Sequence, residues 1–131
     1  YVDCIMLRAH RHEDLIELSR SGHIPVINGL TDHSHPCQIM ADILTFEEHK
    51  GPIAGKTLAW VGDGNNVANT FIQAAVKFDF KLRLACPKEL PPDAETLEYA
   101  RSHGADITIT TDPRAAVKDA DAVITDCWVS M

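Results

Sequence analysis

Trp60-Val61-Gly62-Asp63-Gly64-Asn65-Asn66-Val67-Ala68-Asn69 is the stretch that decides the fold class. The run from Thr57 to Val61 is apolar and rich in residues that favour strands. Beyond it, Val67, Phe71, Ala74 and Phe78 recur at helical spacing. Between the two, Gly62 and Gly64 permit a tight turn and a close approach of backbone. A strand that turns at glycines into a helix is the opening unit of a parallel α/β sheet. A dinucleotide fingerprint would need a third glycine where Val67 stands, and an acidic residue at the end of the next strand, where Cys86-Pro87-Lys88 stands. That reading is weak. The turn is better suited to presenting Asn65 and Asn66 at a helix N-terminus, a place that can hold a carboxylate.

Outward from this unit the same alternation continues. Strands are expected at Val2 to Leu7, Ile24 to Ile27, Lys81 to Cys86, Ile107 to Thr110 and Ala122 to Thr125, mostly apolar without clean alternation, as in parallel strands covered on both faces. Helices lie between them. Glu13 and Asp14 mark the first turn of one that Ser21-Gly22 closes. Pro36 suits the first position of another, with Ile39, Ile43 and Phe46 on one face and Gly51-Pro52 beyond its end. Pro91-Pro92-Asp93 precedes a fourth, which Gly104 ends, and Asp112-Pro113 starts a short fifth. The break at Lys50-Gly51-Pro52 is the best candidate for a domain boundary, so the helix from Pro36 is expected to bridge two units.

Composition narrows the function classes. The 131 residues carry 45% hydrophobic and 24% charged residues, ordinary for a globular chain. A formal net charge of −7 without a clustered Lys/Arg face argues against nucleic acid. No apolar run is long enough to span a membrane. Cys4, Cys37, Cys86 and Cys127 are widely spaced and are expected as free thiols in a reducing compartment. Tyr1 opens directly on an apolar run and the chain stops at Trp128-Val129-Ser130-Met131, which suggests a piece of a longer protein.

Four groups of residues can carry chemistry. In His33-Ser34-His35-Pro36-Cys37-Gln38, His35 precedes the helix and Gln38 follows three positions later, so an imidazole and an amide sit beside free backbone N–H groups. Such a pair suits a ligand's carbonyl-amide group. By default, a His before Pro at a helix start is a solvated cap. A metal on His33 and His35 lacks accompanying ligands of recognisable spacing. Asn66 stands at the glycine turn. Asp126, in Asp126-Cys127-Trp128-Val129-Ser130-Met131, follows a strand and can pair with a ligand ammonium, although Asp there is more often a turn residue. Arg8 ends the first strand and can clamp an oxyanion, against the default of a surface charge. Cys127 has no base near it in sequence and is expected to be a buried, inert thiol.

Taken in order, these pieces resemble one family. His35-Pro36-Cys37-Gln38 is similar to the H-P-x-Q motif of the aspartate and ornithine carbamoyltransferases. Val26-Ile27-Asn28-Gly29-Leu30-Thr31-Asp32 looks like the ornithine branch. Trp60 to Val67 resembles that branch's W-x-G-D-x-x-N-N stretch, and Asp126 to Met131 resembles D-x-W-x-S-M-G, one residue short. The likeness covers essentially the whole chain.

The resemblance implies an α/β fold with parallel sheets flanked by helices, made of parts of two Rossmann-like domains joined by a long helix. Residues 1–35 would end a carbamoyl phosphate-binding domain, residues 36–50 would form the interdomain helix, and residues 51–131 would be the larger part of an ornithine-binding domain. It further implies that Arg8, His35 and Gln38 are catalytic and bind carbamoyl phosphate. Asn66, Asp126, Ser130 and Met131 would bind ornithine. The implied reaction is carbamoyl transfer from carbamoyl phosphate to the δ-amine of L-ornithine, giving L-citrulline and phosphate. No cofactor or metal is implied. The family's working unit is a trimer or a multiple of it, and bacterial cytoplasm is the expected compartment, with the mitochondrial matrix as the alternative. The rivals are a sister enzyme acting on another amine such as putrescine, an inactive paralogue, and a non-catalytic Rossmann-like binding module. The family's S-T-R-T-R phosphate segment and H-C-L-P segment are not among these residues, so the 131-residue chain alone is expected to be inactive.

Overall fold

A computed structural model describes residues 1–128. Its elements alternate throughout: β1 (Ile5–Arg8), α1 (His12–Ser21), β2 (Val26–Leu30), α2 (Pro36–Lys50), β3 (Thr57–Val61), α3 (Asn66–Phe78), β4 (Lys81–Ala85), α4 (Ala94–Ser102), β5 (Ile107–Thr110), α5 (Pro113–Val117) and β6 (Ala122–Ile124). All strand pairs are parallel. They form a two-stranded sheet, β1-β2, and a four-stranded sheet in the order β5-β4-β3-β6.

The four-stranded sheet has two unlike faces because side chains alternate along each strand. Leu58, Trp60, Leu82 and Leu84 point to one face and are buried against Ile39, Ile43 and Phe46 of α2 and Val67, Phe71 and Ile72 of α3. Ala59 and Ala85 point to the other, where Ala116 of α5 packs on them. Small residues there let a five-residue helix lie close to the sheet. Trp60 is fully buried and satisfies its indole N–H by donating to the Asp63 carbonyl at 3.0 Å. A buried Trp without that partner would carry an uncompensated donor.

Local signals explain the helix starts. Asn65 caps α3, its Oδ1 accepting from the backbone N–H of Val67 and Ala68 at 3.0 Å each. Asp93 caps α4 through Thr96 N–H at 2.7 Å, and Asp112 caps α5 through Arg114 N–H at 2.9 Å. Such caps satisfy donors that the helix itself leaves free. Gly64 is required for close approach. A Cβ there would lie 2.2 Å from the Pro91–Pro92 backbone, and its N–H donates to Leu90 O at 2.9 Å.

The strand bounds differ from expectation chiefly in the smaller sheet. β1 begins at Ile5, not Val2, and β2 runs Val26–Leu30, not Ile24 to Ile27. Asn28-Gly29 looks like a turn, yet it stays in the ladder. The pairing passes from Leu7↔Asn28 to Arg8↔Leu30, so Gly29 is the extra residue of a bulge. A Cβ on Gly29 would sit 3.1 Å from Leu7 O, a tight contact that glycine avoids. β4 and β6 each end one residue early, at Ala85 and Ile124. Coverage on both faces also fails, in the smaller sheet, where Met6 is 64% and Ile27 40% exposed, and on the edge strands of the larger one, where Ile109 is 44% and Val123 58% exposed.

Candidate active site

In the larger sheet the chain runs outward from β3 through β4 to β5, then returns to lay β6 on the other side of β3. The crevice beyond the carboxyl ends of β3 and β6 is therefore the topological switch point, where ligands of open parallel sheets bind. A cavity of about 470 Å³ occupies it, and the ends of β1 and β2 contribute to the wall. Arg8, His35, Gln38, Asn66 and Asp126, five candidates drawn from four separate places in the sequence, all line it, and Asp42 joins them.

Two crossing hydrogen bonds place His35. The loop between β2 and α2 is tied to the start of α3 by Asn66 Nδ2 donating to Thr31 O at 2.7 Å. His35 N–H in turn donates to Thr70 Oγ1 at 2.8 Å. Thr70 Oγ1 itself donates to Asn66 O at 2.6 Å. His35 is the residue before the helix, but its side chain makes no capping hydrogen bond, so the solvated-cap alternative does not hold. Its Nδ1 is buried with no partner. Burial lowers the imidazole's tendency to protonate, and the Arg8 guanidinium adds to this, against Asp126 and Asp42, which favour charge. Charging the ring would place an N–H without an acceptor at Nδ1. The neutral ring therefore carries its proton at Nε2, a hydrogen-bond donor near neutral pH.

The other lining groups divide by charge. The Arg8 guanidinium makes no hydrogen bond or ion pair with the described residues, so its donors are free for an oxyanion. Asp126 accepts from its neighbour Cys127 N–H at 2.7 Å and is otherwise exposed at the cavity. Gln38 Nε2 donates to Asp42 Oδ1 at 2.9 Å, one turn along α2. Asn66 is 5% exposed and largely committed, since its Oδ1 accepts from Val67 N–H while Nδ2 holds Thr31. One N–H of its amide remains for a ligand. Asn65, offered alongside it for a carboxylate, spends its oxygen on the cap. Ser130 and Met131 lie outside the described residues.

Sequence reasoning missed Asp42, Thr31 and Thr70. Asp42 has a signal, its i+4 spacing from Gln38; the two threonines have none. His33 does not join His35: its ring packs on His12, centroids 4.9 Å apart, while His35 lines the cavity. Among the described residues no group of three or more His, Cys, Asp or Glu is placed to hold a metal. Cys127, expected to be buried, is exposed because β6 stops three residues before it. Cys86 is the buried thiol, pushed up to about 11 by burial and then by the Asp63 carboxylate. No helix among the described residues is long and apolar enough to cross a membrane.

Comparison with known proteins places the chain in a family. The chain is 54% identical over all 131 residues to the ornithine carbamoyltransferase of Brucella ovis and 55% identical to that of Rhodopseudomonas palustris. It covers 42% of each, so it spans about two fifths of the length of the curated relatives it matches. The structure of ornithine carbamoyltransferase from Pyrococcus furiosus superposes with a TM-score of 0.93 at 43% identity, over 100% of this chain and 43% of that one. Residues 1–48 match the carbamoyl-P binding domain of aspartate/ornithine carbamoyltransferases, and residues 54–131 match their Asp/Orn binding domain. With both domain models matched in sequence order and the cavity lying where residues of the two matches meet, the chain belongs to the aspartate/ornithine carbamoyltransferase family.

Proposed function

We propose that this chain supplies part of the carbamoyl phosphate site and most of the ornithine site of an ornithine carbamoyltransferase. The transferred group passes from carbamoyl phosphate to the δ-amine of L-ornithine, giving L-citrulline and phosphate. The observation that carries the reading is the convergence of Arg8, His35, Gln38, Asn66 and Asp126 on one cavity. Residues 1–35 belong to the carbamoyl phosphate domain, α2 over residues 36–50 joins the domains, and residues 51–131 belong to the ornithine domain. The presence of two separate sheets supports that division.

The chemistry needs no covalent intermediate. Arg8 holds the phosphate and the carbamoyl oxygen, and neutral His35 donates to that oxygen while the uncharged amine attacks. Negative charge grows on the carbonyl oxygen and the departing phosphate, and these donors are already in place to meet it. Gln38 contacts the carbamoyl amide. Asp126 pairs with the α-ammonium of ornithine, and Asn66, Ser130 and the Met131 backbone complete the hold on its amino-acid head. The assembly is a trimer or a multiple of one, in the bacterial cytoplasm.

The test is a ureido-product assay on the full-length protein, with carbamoyl phosphate and ornithine, putrescine or aspartate in parallel. Product with ornithine alone is expected. Product mainly with putrescine would overturn the role given to Asp126 and the segment after it. No product with any amine would sink the reading. The 131-residue chain alone is expected to give none.

A further inference from the structure

Asp42 has no role in the function just described, yet it lines the same cavity and is hydrogen-bonded to one of the groups expected to touch substrate. We propose that Asp42 is a positioning residue that fixes the orientation of the Gln38 carboxamide, and so the specificity of the cavity for a carbamoyl group over an acyl group. An ionised carboxylate can only accept hydrogen bonds. At 2.9 Å from Gln38, Asp42 Oδ1 must therefore face the NH₂ end of that amide, not its oxygen. Either end of a Gln side chain fits the same space, so without such a partner the two orientations would compete. With it, Gln38 Oε1 is the atom turned toward the ligand, as an acceptor.

His35 supplies the complement. Its Nδ1 is buried and the burial-favoured neutral ring carries its proton at Nε2, which makes it a donor. A donor and an acceptor, one residue before α2 and one on its first turn, match a group that bears a C=O and an NH₂ on the same carbon. A ligand with CH₃ in place of NH₂ fills the same volume but leaves Gln38 Oε1 unpaired. A site built to hydrogen-bond an N–H discriminates strongly against an analogue that lacks it. This inference rests on carbamoyl phosphate being the substrate.

The experiment uses the full-length protein and two small molecules, carbamoyl phosphate as substrate and acetyl phosphate as its methyl analogue and competitive inhibitor. Wild type is measured first, and if it shows no carbamoyl transfer the underlying function falls and takes this inference with it. Given an active wild type, Asp42→Asn is expected to lower kcat/KM for carbamoyl phosphate by about tenfold, in keeping with loss of one oriented hydrogen bond to the substrate. The Ki of acetyl phosphate should stay within about twofold, since that molecule never used the acceptor. Asp42→Asn offers Gln38 a donor as well as an acceptor, so the amide loses its one enforced orientation, whereas a purely structural pair keeps a hydrogen bond and would notice little. The double variant Gln38→Glu/Asp42→Asn exchanges donor and acceptor. The new amide at position 42 donates, and the new carboxylate at position 38 keeps an acceptor facing the substrate, so selectivity for carbamoyl over acetyl phosphate should return. Parallel changes for both phosphates in Asp42→Asn, no change for either, or a double variant no more selective than the single would each overturn the proposal.

Discussion

The two sheets of this chain are built from similar strand–helix units but hold together in different ways. In the four-stranded sheet Leu58, Trp60, Leu82 and Leu84 are at most 2% exposed, with helices packed over them. In the two-stranded sheet Met6 and Ile27 face outward, and Leu30, at 6% exposed, is the one buried strand residue. The smaller sheet is instead fastened to the larger one by the loop over residues 31–35, through hydrogen bonds to Asn66 and Thr70. One region is held by its core and the other by its attachment. The cavity needs both, because Arg8 comes from the attached sheet while Asn66 and Asp126 come from the packed one.

The largest expected effect tests the core. In this 131-residue chain, Phe71→Ala removes a fully buried ring that packs on Trp60 at a centroid distance of 6.0 Å. It should destabilise the chain by about 3–5 kcal/mol in urea unfolding. Met6→Ala, at the exposed face of β1, should cost less than about 0.5 kcal/mol. Equal losses would mean that the two sheets share one core, contrary to the burial described.

Next comes the attachment. Thr70→Val keeps the side-chain volume and removes both the acceptor of His35 N–H and the donor to Asn66 O. The loss should be about 1–3 kcal/mol, the cost of leaving a buried polar group unpaired. Hydrogen exchange should speed up in β1 and β2 while β3 and β4 stay protected, because local opening follows the weaker region. Faster exchange spread evenly over both sheets would break the distinction.

The same contrast governs what could be read from the sequence. Thr57–Val61 and Ile107–Thr110 occupy the residues expected of them, since each is a β-rich run bounded by turn residues. β2 was legible only in part, because Asn28-Gly29 carries the local signature of a turn and only its partner strand turns it into a bulge. The candidate side chains gather in one cavity for a topological reason that strand order makes visible: they follow strand ends. The bonds that set them, Asn66 to Thr31 and Thr70 to His35, span 35 residues each and leave no local pattern. Asp42 was hidden for the opposite reason, since a carboxylate four residues along a helix from an amide looks like an ordinary solvated pair.

The smallest effect expected is a pH dependence that separates the two regions. His35, in the connecting loop, is held below its ordinary 6.5 by burial and then by Arg8. The unfolded chain therefore takes up a proton as pH falls below about 6.5, while the folded chain resists it, and stability declines with acid until the folded value is passed. Asp93, at the head of α4 in the packed region, is lowered from 3.8 mainly by the backbone N–H of Thr96. Its charge stabilises the fold above 3.8, and that contribution disappears as pH falls through the lowered folded value. Urea midpoints followed from pH 8 to pH 3 should thus show two declines. His35→Asn should flatten only the first, since the amide cannot titrate. Asp93→Asn should flatten only the second, because Asn caps a helix about as well as Asp and leaves the rest of α4 in place. If His35→Asn left the first decline unchanged, the buried imidazole would not be its source, and the neutral donor assigned to the cavity would lose its support.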